Sequence, residues 1–169
     1  MLYGIIVFLG VVADQLTKLW VSGSLVGKGV VEIIPGIIGF RYVENTGAAF
    51  SIFASNTLML TIISAVLIIF LTYLIWRYRK GHKMLNISLA LIIAGAIGNL
   101  IDRVFAGYVV DFIEFRFVNF AVFNVADICV TIGTILLAVY ILFLSPERKK
   151  KKTEEVTDER GEHGDNAGD

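Results

Sequence analysis

The chain has 169 residues, of which 56% are hydrophobic, with fifteen basic and fifteen acidic side chains and a mean hydropathy of +0.75. Fourteen of those charges fall in residues 145–169, so the first 144 residues are much poorer in charge than a soluble domain. That excludes a soluble enzyme, a disordered protein and a basic nucleic-acid binder, and a single cysteine excludes a disulfide scaffold.

Four apolar runs approach or exceed the roughly 20 residues needed to cross about 30 Å of hydrocarbon. They are Tyr3–Val21, Thr57–Trp76, Met84–Ile101 and Val118–Leu144. The first lacks a basic start and carries Asp14 and Lys18, so it does not read as a removable signal peptide. Val30–Val43 follows, rich in β-branched and aromatic residues and broken by Pro35-Gly36 and Gly39, which predicts a short strand pair resting on the membrane surface. The second run carries no charged residue, and Arg77, Arg79, Lys80 and Lys83 separate it from the third. Basic residues beside span ends mark the cytoplasmic side, as does the Arg148–Lys152 run after the fourth span, so both termini are expected there. The segments Ser22–Asn56 and Asp102–Phe117 then face outward. Residues 1–144 thus form one α-helical integral membrane domain with four transmembrane helices, and 145–169 a charged, disordered cytoplasmic tail. The Lys149–Lys152 run serves as a topology anchor or touches anionic membrane lipids.

Charged groups inside spans are costly, so each needs a reason. Helical spacing puts Asp14, Thr17 and Lys18 on one face of the first span, and Gly95, Asn99, Asp102 and Arg103 on one face of the third. Asn124, Asp127 and Thr131 share a face of the fourth. At about 1.5 Å per residue, Asp102 lies roughly 27 Å above the inner end of its span, Asp127 roughly 26 Å and Lys18 roughly 23 Å. These groups share one level just inside the outer face, which describes a water-reachable pocket at the outer edge of a small bundle. Asp14 with Lys18, and Asp102 with Arg103, can also be simple neutralising pairs, and both readings stand for those four residues. Asp111 and Asp127 have few cations left to pair with. Of Lys18, Lys28, Arg41, Arg103 and Arg116, only Lys18 and Arg103 are placed to reach the pocket.

Elimination narrows the chemistry. His82 and His163 fall on the cytoplasmic side, so no Ser-His or Cys-His arrangement can form, and neither H-E-x-x-H nor a His/Cys cluster offers a metal site. Cys129 reads as a small buried hydrophobe, and Ser22, four residues after Lys18, permits a Ser-Lys pair in which Asp14 competes for the lysine. There remain two aspartates. Paired carboxyls in a low dielectric share one proton: the ionised one can activate a water and the protonated one can stabilise an oxyanion, with no metal or cofactor. Asp111 and Asp127 can meet only if residues 112–120 fold back as a hairpin, for which Phe112–Phe123 has suitable composition.

Several runs resemble signal peptidase II, the lipoprotein signal peptidase of bacteria. They are Asp14-Gln15-Leu16-Thr17-Lys18, Asn45-Thr46-Gly47-Ala48-Ala49-Phe50-Ser51, Ala94 to Arg103, Val110-Asp111-Phe112-Ile113 and Phe123-Asn124-Val125-Ala126-Asp127. The resemblance spans roughly residues 10–135, with Ala94 standing where many members have a second glycine. It implies a four-span aspartic endopeptidase of the inner membrane with a small extracytoplasmic β-cradle and a flap over the site. The implied substrates are prolipoproteins, cut before a cysteine that already carries diacylglycerol, and no nucleic acid is implied as a partner. Asp111 and Asp127 match the catalytic pair. Asn45, Gly47, Asn99, Arg103 and Asn124 match positions lining the substrate pocket, and Asp14, Lys18 and Asp102 match supporting positions. The small residues Ala94, Gly95, Ala96 and Gly98 allow either close helix packing or room for a signal-peptide helix.

Two readings compete with a protease. A small proton-coupled transporter would use membrane carboxylates as a relay, but no acidic group lies in the inner half of any span. A scaffold binding partner helices would leave Asp111 and Asp127 unexplained.

Overall fold

The computed structural model describes residues 1–47 and 56–145. The flap, residues Ala48–Ser51 of the second motif and nearly all of the charged tail, including Lys149–Lys152, lie outside the described residues. Among the described residues, four helices are long and apolar enough to cross a membrane: α1 (Leu2–Ser24), α2 (Thr57–Arg77), α3 (Lys83–Phe105) and the span Val125–Leu144. The last consists of α4 (Val125–Val139), which widens into a π-helical turn at Tyr140–Leu144. Three strands, β1 (Val31–Ile34), β2 (Ile38–Asn45) and β3 (Val109–Phe115), form an antiparallel sheet in that order.

Each element follows from local sequence. The β1–β2 connection is Pro35-Gly36, with Gly36 at φ +69° and Ile37 N–H donating to Ile34 O at 3.0 Å. Proline before a left-handed glycine is the pattern of a type II turn. Helix α3 is central, packed against α1, α2 and α4, and it holds ten of the buried helical residues, from Asn86 to Asp102. Leu71, Leu89, Ile92 and Ile93 form the core between α2 and α3, joined by Val7 and Leu137. A second cluster, Val21, Leu25, Val110 and Phe112, ties the C-terminal end of α1 to the sheet. Side chains such as Phe8, Ile62, Phe70 and Ile135 are more than half exposed, as lipid-facing positions require.

The small residues of α3 are used for close helix contact. A Cβ on Gly95 would collide with Ala126 O, and one on Gly98 would lie 3.2 Å from Ala126 Cβ and 2.5 Å from Asp14 Oδ2. Gly10 of α1 faces Ala94 of α3 in the same manner, at 2.8 Å for an added Cβ. Backbones thereby approach closely enough to bring polar groups of three helices together.

The fourth helix begins at Val125, seven residues later than hydropathy alone suggests with a start at Val118. Asn124 stops the extended chain: its Oδ1 accepts from Asp127 N–H while the Asp127 carboxylate accepts from Asn124 N–H, a reciprocal capping box. Before it, Phe123 pairs with Ile113 through N–H to O contacts of 3.0 and 2.8 Å. Phe115, Phe120 and Phe123 pack ring against ring, with centroids 5.2 to 6.2 Å apart. The segment after β3 therefore folds back, as a meeting of Asp111 and Asp127 requires, and Asp127, which a span starting at Val118 would put well inside its helix, stands in the first turn of α4.

Candidate active site

The candidate site residues converge where the C-terminal ends of α1 and α3 and the N-terminal end of α4 meet β2 and β3. Strand register begins the assembly. Val43 opposes Asp111 and Asn45 opposes Val109, which puts Asn45 diagonally across from Asp111 on one face. A bulge between Phe40 and Val43 re-aims this end of β2. Asn45 Nδ2 donates to Asp111 Oδ2 at 2.8 Å, and Asn124 Nδ2 donates to Asp111 Oδ1 at 2.6 Å. Asp127 Oδ1 accepts from Asn99 Nδ2 at 2.8 Å, and its Oδ2 accepts from Asn124 N–H at 3.1 Å.

Three asparagines thus present their amide donors to the two carboxylates, and each is held that way by its oxygen. Asn45 Oδ1 accepts from Gly47 N–H at 2.9 Å, a local turn between residues two apart. Asn124 Oδ1 accepts from Asp127 N–H at 2.9 Å. Asn99 Oδ1 accepts from Lys18 Nζ at 3.0 Å and from Asn124 Nδ2 at 3.1 Å. An amide whose oxygen is engaged cannot flip without losing that bond, so the donor side is fixed on the acid.

Lys18 is buried with its ammonium 2.8 Å from both Asp14 Oδ2 and Asp102 Oδ2. The Asp14–Lys18 pair read from helical spacing is present. The Asp102–Arg103 pair is not: Asp102 turns to Lys18 across the helix interface, since adjacent residues on a helix do not face each other. Arg103 instead donates from Nη2 to Gly47 O at 3.1 Å and from Nη1 to Asn99 O at 3.4 Å, and its buried Nε has no partner among the described residues. The Ser22–Lys18 pair does not form either, because all three lysine donors are committed to Asp14, Asp102 and Asn99. Thr17 bonds back to Ala13 O and Asp14 O on its own helix and stays out of the cluster.

Gln15 belongs to the cluster although sequence reading assigned it no role. Its Nε2 lies 3.2 Å from Asp14 Oδ2, 3.2 Å from Gly98 O and 3.0 Å from Asp102 Oδ1. The available signal was its i,i+3 relation to Lys18, which places both on the α3-facing side.

A cavity of about 500 Å³ opens onto Asn45, Asn99, Arg103, Asp111 and Asp127, with Phe120, Phe123, Ile128 and Ile132 among its apolar walls. A second, more polar cleft of about 400 Å³ meets it at Asp111 and Asn45 and runs past Arg41, Glu44 and Asn119. Burial pushes the Asp111 carboxyl up to about 7; the Asn45 donor opposes this and the negative charge of Asp127 adds to it. At neutral pH Asp111 is therefore poised between its acid and carboxylate forms, as shared-proton chemistry requires.

The signal peptidase II family model matches residues 6–143, which is most of the chain. This chain belongs to the signal peptidase II family. The lipoprotein signal peptidase of Clostridium tetani is 45% identical over 142 residues, 82% of this chain and 90% of that protein. The lipoprotein signal peptidase of Clostridioides difficile is 40% identical over 149 residues, 88% of this chain and all of that protein. A solved bacterial membrane enzyme superposes with a TM-score of 0.76 at 32% identity, covering 83% of this chain and 87% of its own. Membership in the signal peptidase II family makes the chain a multi-pass membrane protease of lipoprotein processing, with four apolar helices and a small sheet as its architecture.

Proposed function

We propose that this chain is an aspartic endopeptidase that removes the signal peptide from diacylglyceryl-modified prolipoproteins, cutting before the lipidated cysteine. The observation that carries the reading is the paired setting of Asp111 and Asp127, each with both carboxylate oxygens engaged by donors and both bordering one cavity. One carboxyl keeps a proton and the other is ionised. The ionised member takes a proton from a water as the water oxygen bonds to the scissile carbonyl carbon. The protonated member hydrogen-bonds the carbonyl oxygen and steadies the oxyanion. Collapse of that intermediate breaks the C–N bond, and the departing nitrogen takes a proton from the dyad. One water is consumed, and no metal or cofactor enters.

The surroundings suit that substrate. Phe120, Phe123, Ile128 and Ile132 offer apolar contact beside the acids, where a signal-peptide segment or acyl chain can stay out of water. Arg103, whose Nε–H has no partner among the described residues and can meet a substrate carbonyl, Asn99 and Asn124 form the polar side, while Asn45 and Gly47 stand at the end of β2. The basic residues between α2 and α3 lie at the opposite end of those helices from Asp111 and Asp127, which supports cytoplasmic termini and a site at the outer face of the inner membrane.

The test uses purified protein in detergent with a diacylglyceryl-modified precursor. Asp111→Asn and Asp127→Asn should each abolish release of the signal peptide while the protein stays folded. Full processing by either variant would remove the dyad.

A further inference from the structure

Lys18 lies behind the two aspartates and touches neither, yet each of its three donors leads to one of them. One branch runs to Asp102 Oδ2 at 2.8 Å, and the same oxygen accepts from Val110 N–H at 3.1 Å, the residue just before Asp111. A second runs to Asp14 Oδ2 at 2.8 Å, whose Oδ1 accepts from Ala126 N–H at 2.8 Å, the residue just before Asp127. The third runs to Asn99 Oδ1 at 3.0 Å, and Asn99 Nδ2 donates to Asp127 at 2.8 Å. Taking the dyad mechanism above as its basis, we propose that Lys18 is a positioning residue that sets the separation of Asp111 and Asp127 by holding both backbones through Asp102 and Asp14.

The symmetry argues for positioning over simple neutralisation. Asp14 is fully buried, Lys18 is 3% exposed and Asp102 9%, so taking three charges out of water is expensive, and apolar residues of similar volume would serve a helix interface as well or better. What apolar residues cannot supply is direction. An ammonium offers three diverging donors, and here each reaches a different acceptor on α1 or α3. The two backbone N–H groups belong to different elements, β3 and α4, which Asn124 and the Phe123–Ile113 pairing tie together on the pocket side while Asp102, Lys18 and Asp14 hold them from behind. Gln15 repeats the link between Asp14 and Asp102, and Gly98 leaves the space that the Asp14 carboxylate fills. Lys18 also acts at a distance: its positive charge draws the Asp111 carboxyl down against the effect of burial.

Steady-state cleavage of a diacylglyceryl-modified precursor by detergent-purified Lys18→Met provides the test. A misplacement of about 1 Å costs on the order of a hundredfold in rate, so kcat should fall by about that factor. KM should stay within about threefold, because Arg103 and the apolar wall are untouched and Asn99 keeps the Asn124 donor on its oxygen. The high-pH limb of kcat/KM should also move upward, since Asp111 loses a favourable charge while Asp127 and Arg103 still face it. The triple variant Asp14→Asn/Lys18→Met/Asp102→Asn removes every charge of the cluster together. It should fold with a thermal midpoint near wild type and remain as slow as the single variant. Wild-type kcat in either variant overturns the proposal, and so does a loss of rate that matches the loss of folded protein with an unmoved pH limb. In the first of these cases the wild type still cleaves, which leaves the peptidase reading standing. Failure of the wild type itself would take down both.

Discussion

The Asn124 side chain donates to Asp111 Oδ1 at 2.6 Å while its backbone N–H donates to Asp127 Oδ2 at 3.1 Å. One residue therefore caps a helix and spans both acids. The two duties can be separated. Asn124→Ala removes the cap, at a cost of about 1 kcal/mol, and also the donor to Asp111. Asn124→Ser keeps a capping oxygen of similar quality but lacks the amide. Thermal unfolding in detergent should show Ala destabilised and Ser close to wild type, with kcat reduced about tenfold or more in both, as expected for a buried acid deprived of a charge-assisted donor. Recovery of kcat by Ser would mean that Asn124 serves only as a cap.

The elevated Asp111 value gives two linked pH expectations. A dyad works with one proton, and that proton is lost as pH rises through about 7, so kcat/KM of the free enzyme should fall above that point. For stability, the folded value lies above the ordinary carboxyl value of about 3.9. Protonation thus favours the fold; the contribution is complete below the unfolded value and lost as pH rises through about 7. Asp111→Asn removes this dependence. Its thermal midpoint should exceed that of wild type at pH 8, with the advantage shrinking toward pH 4. An advantage that is constant across that range would show that burial of Asp111 carries no proton linkage.

The common level of Asp14, Lys18, Asp102 and Asp127 was legible in the sequence, because rise per residue and span ends suffice to place groups along a helix. The i,i+4 contact of Asp14 with Lys18 was legible for the same reason. Periodicity shows which residues share a face, but not which faces meet, so Lys18 reaching Asp102 across two helices was not visible, and the neighbouring Arg103 looked like the natural partner. The start of α4 was misplaced because Val118–Phe123 is as apolar as a span. Those aromatic side chains are used instead against Phe115 and the sheet, and the Asn-x-x-Asp spacing at 124 and 127 was the local sign of a helix start. The three amide orientations around the acids depend on contacts between distant residues, and no local pattern announces them.

Ser22 tests the elimination of serine chemistry. It sits one turn after Lys18, but Lys18 has no donor or lone pair to spare, its three N–H groups being spread over Asp14, Asp102 and Asn99. Ser22→Ala should cleave the lipidated precursor at a rate within about twofold of wild type, since a group outside the transition state contributes little to kcat. A dead Ser22→Ala would revive a Ser-Lys mechanism and displace the aspartates.

Gly95 connects packing to chemistry. An added Cβ there would overlap Ala126 O and lie 2.7 Å from Val130 Cγ2, both on α4. Backbone cannot swing aside as a side chain can, so α4 must move away from α3. Ala126 immediately precedes Asp127 and is the residue whose N–H Asp14 holds, which means the displacement passes directly to Asp127 and reaches Asp111 on β3 only through the Asn124 side chain. Gly95→Ala should therefore destabilise by about 1–3 kcal/mol, the usual cost of overpacking. It should also lower kcat by more than the loss of folded protein explains. Gly4→Ala is the control, because a Cβ at that position has open space within 4 Å and lies far along α1 from the acids. If Gly95→Ala keeps wild-type kcat per folded molecule, the α3–α4 contact is a packing feature alone and the acids tolerate a shift of the helix that carries Asp127.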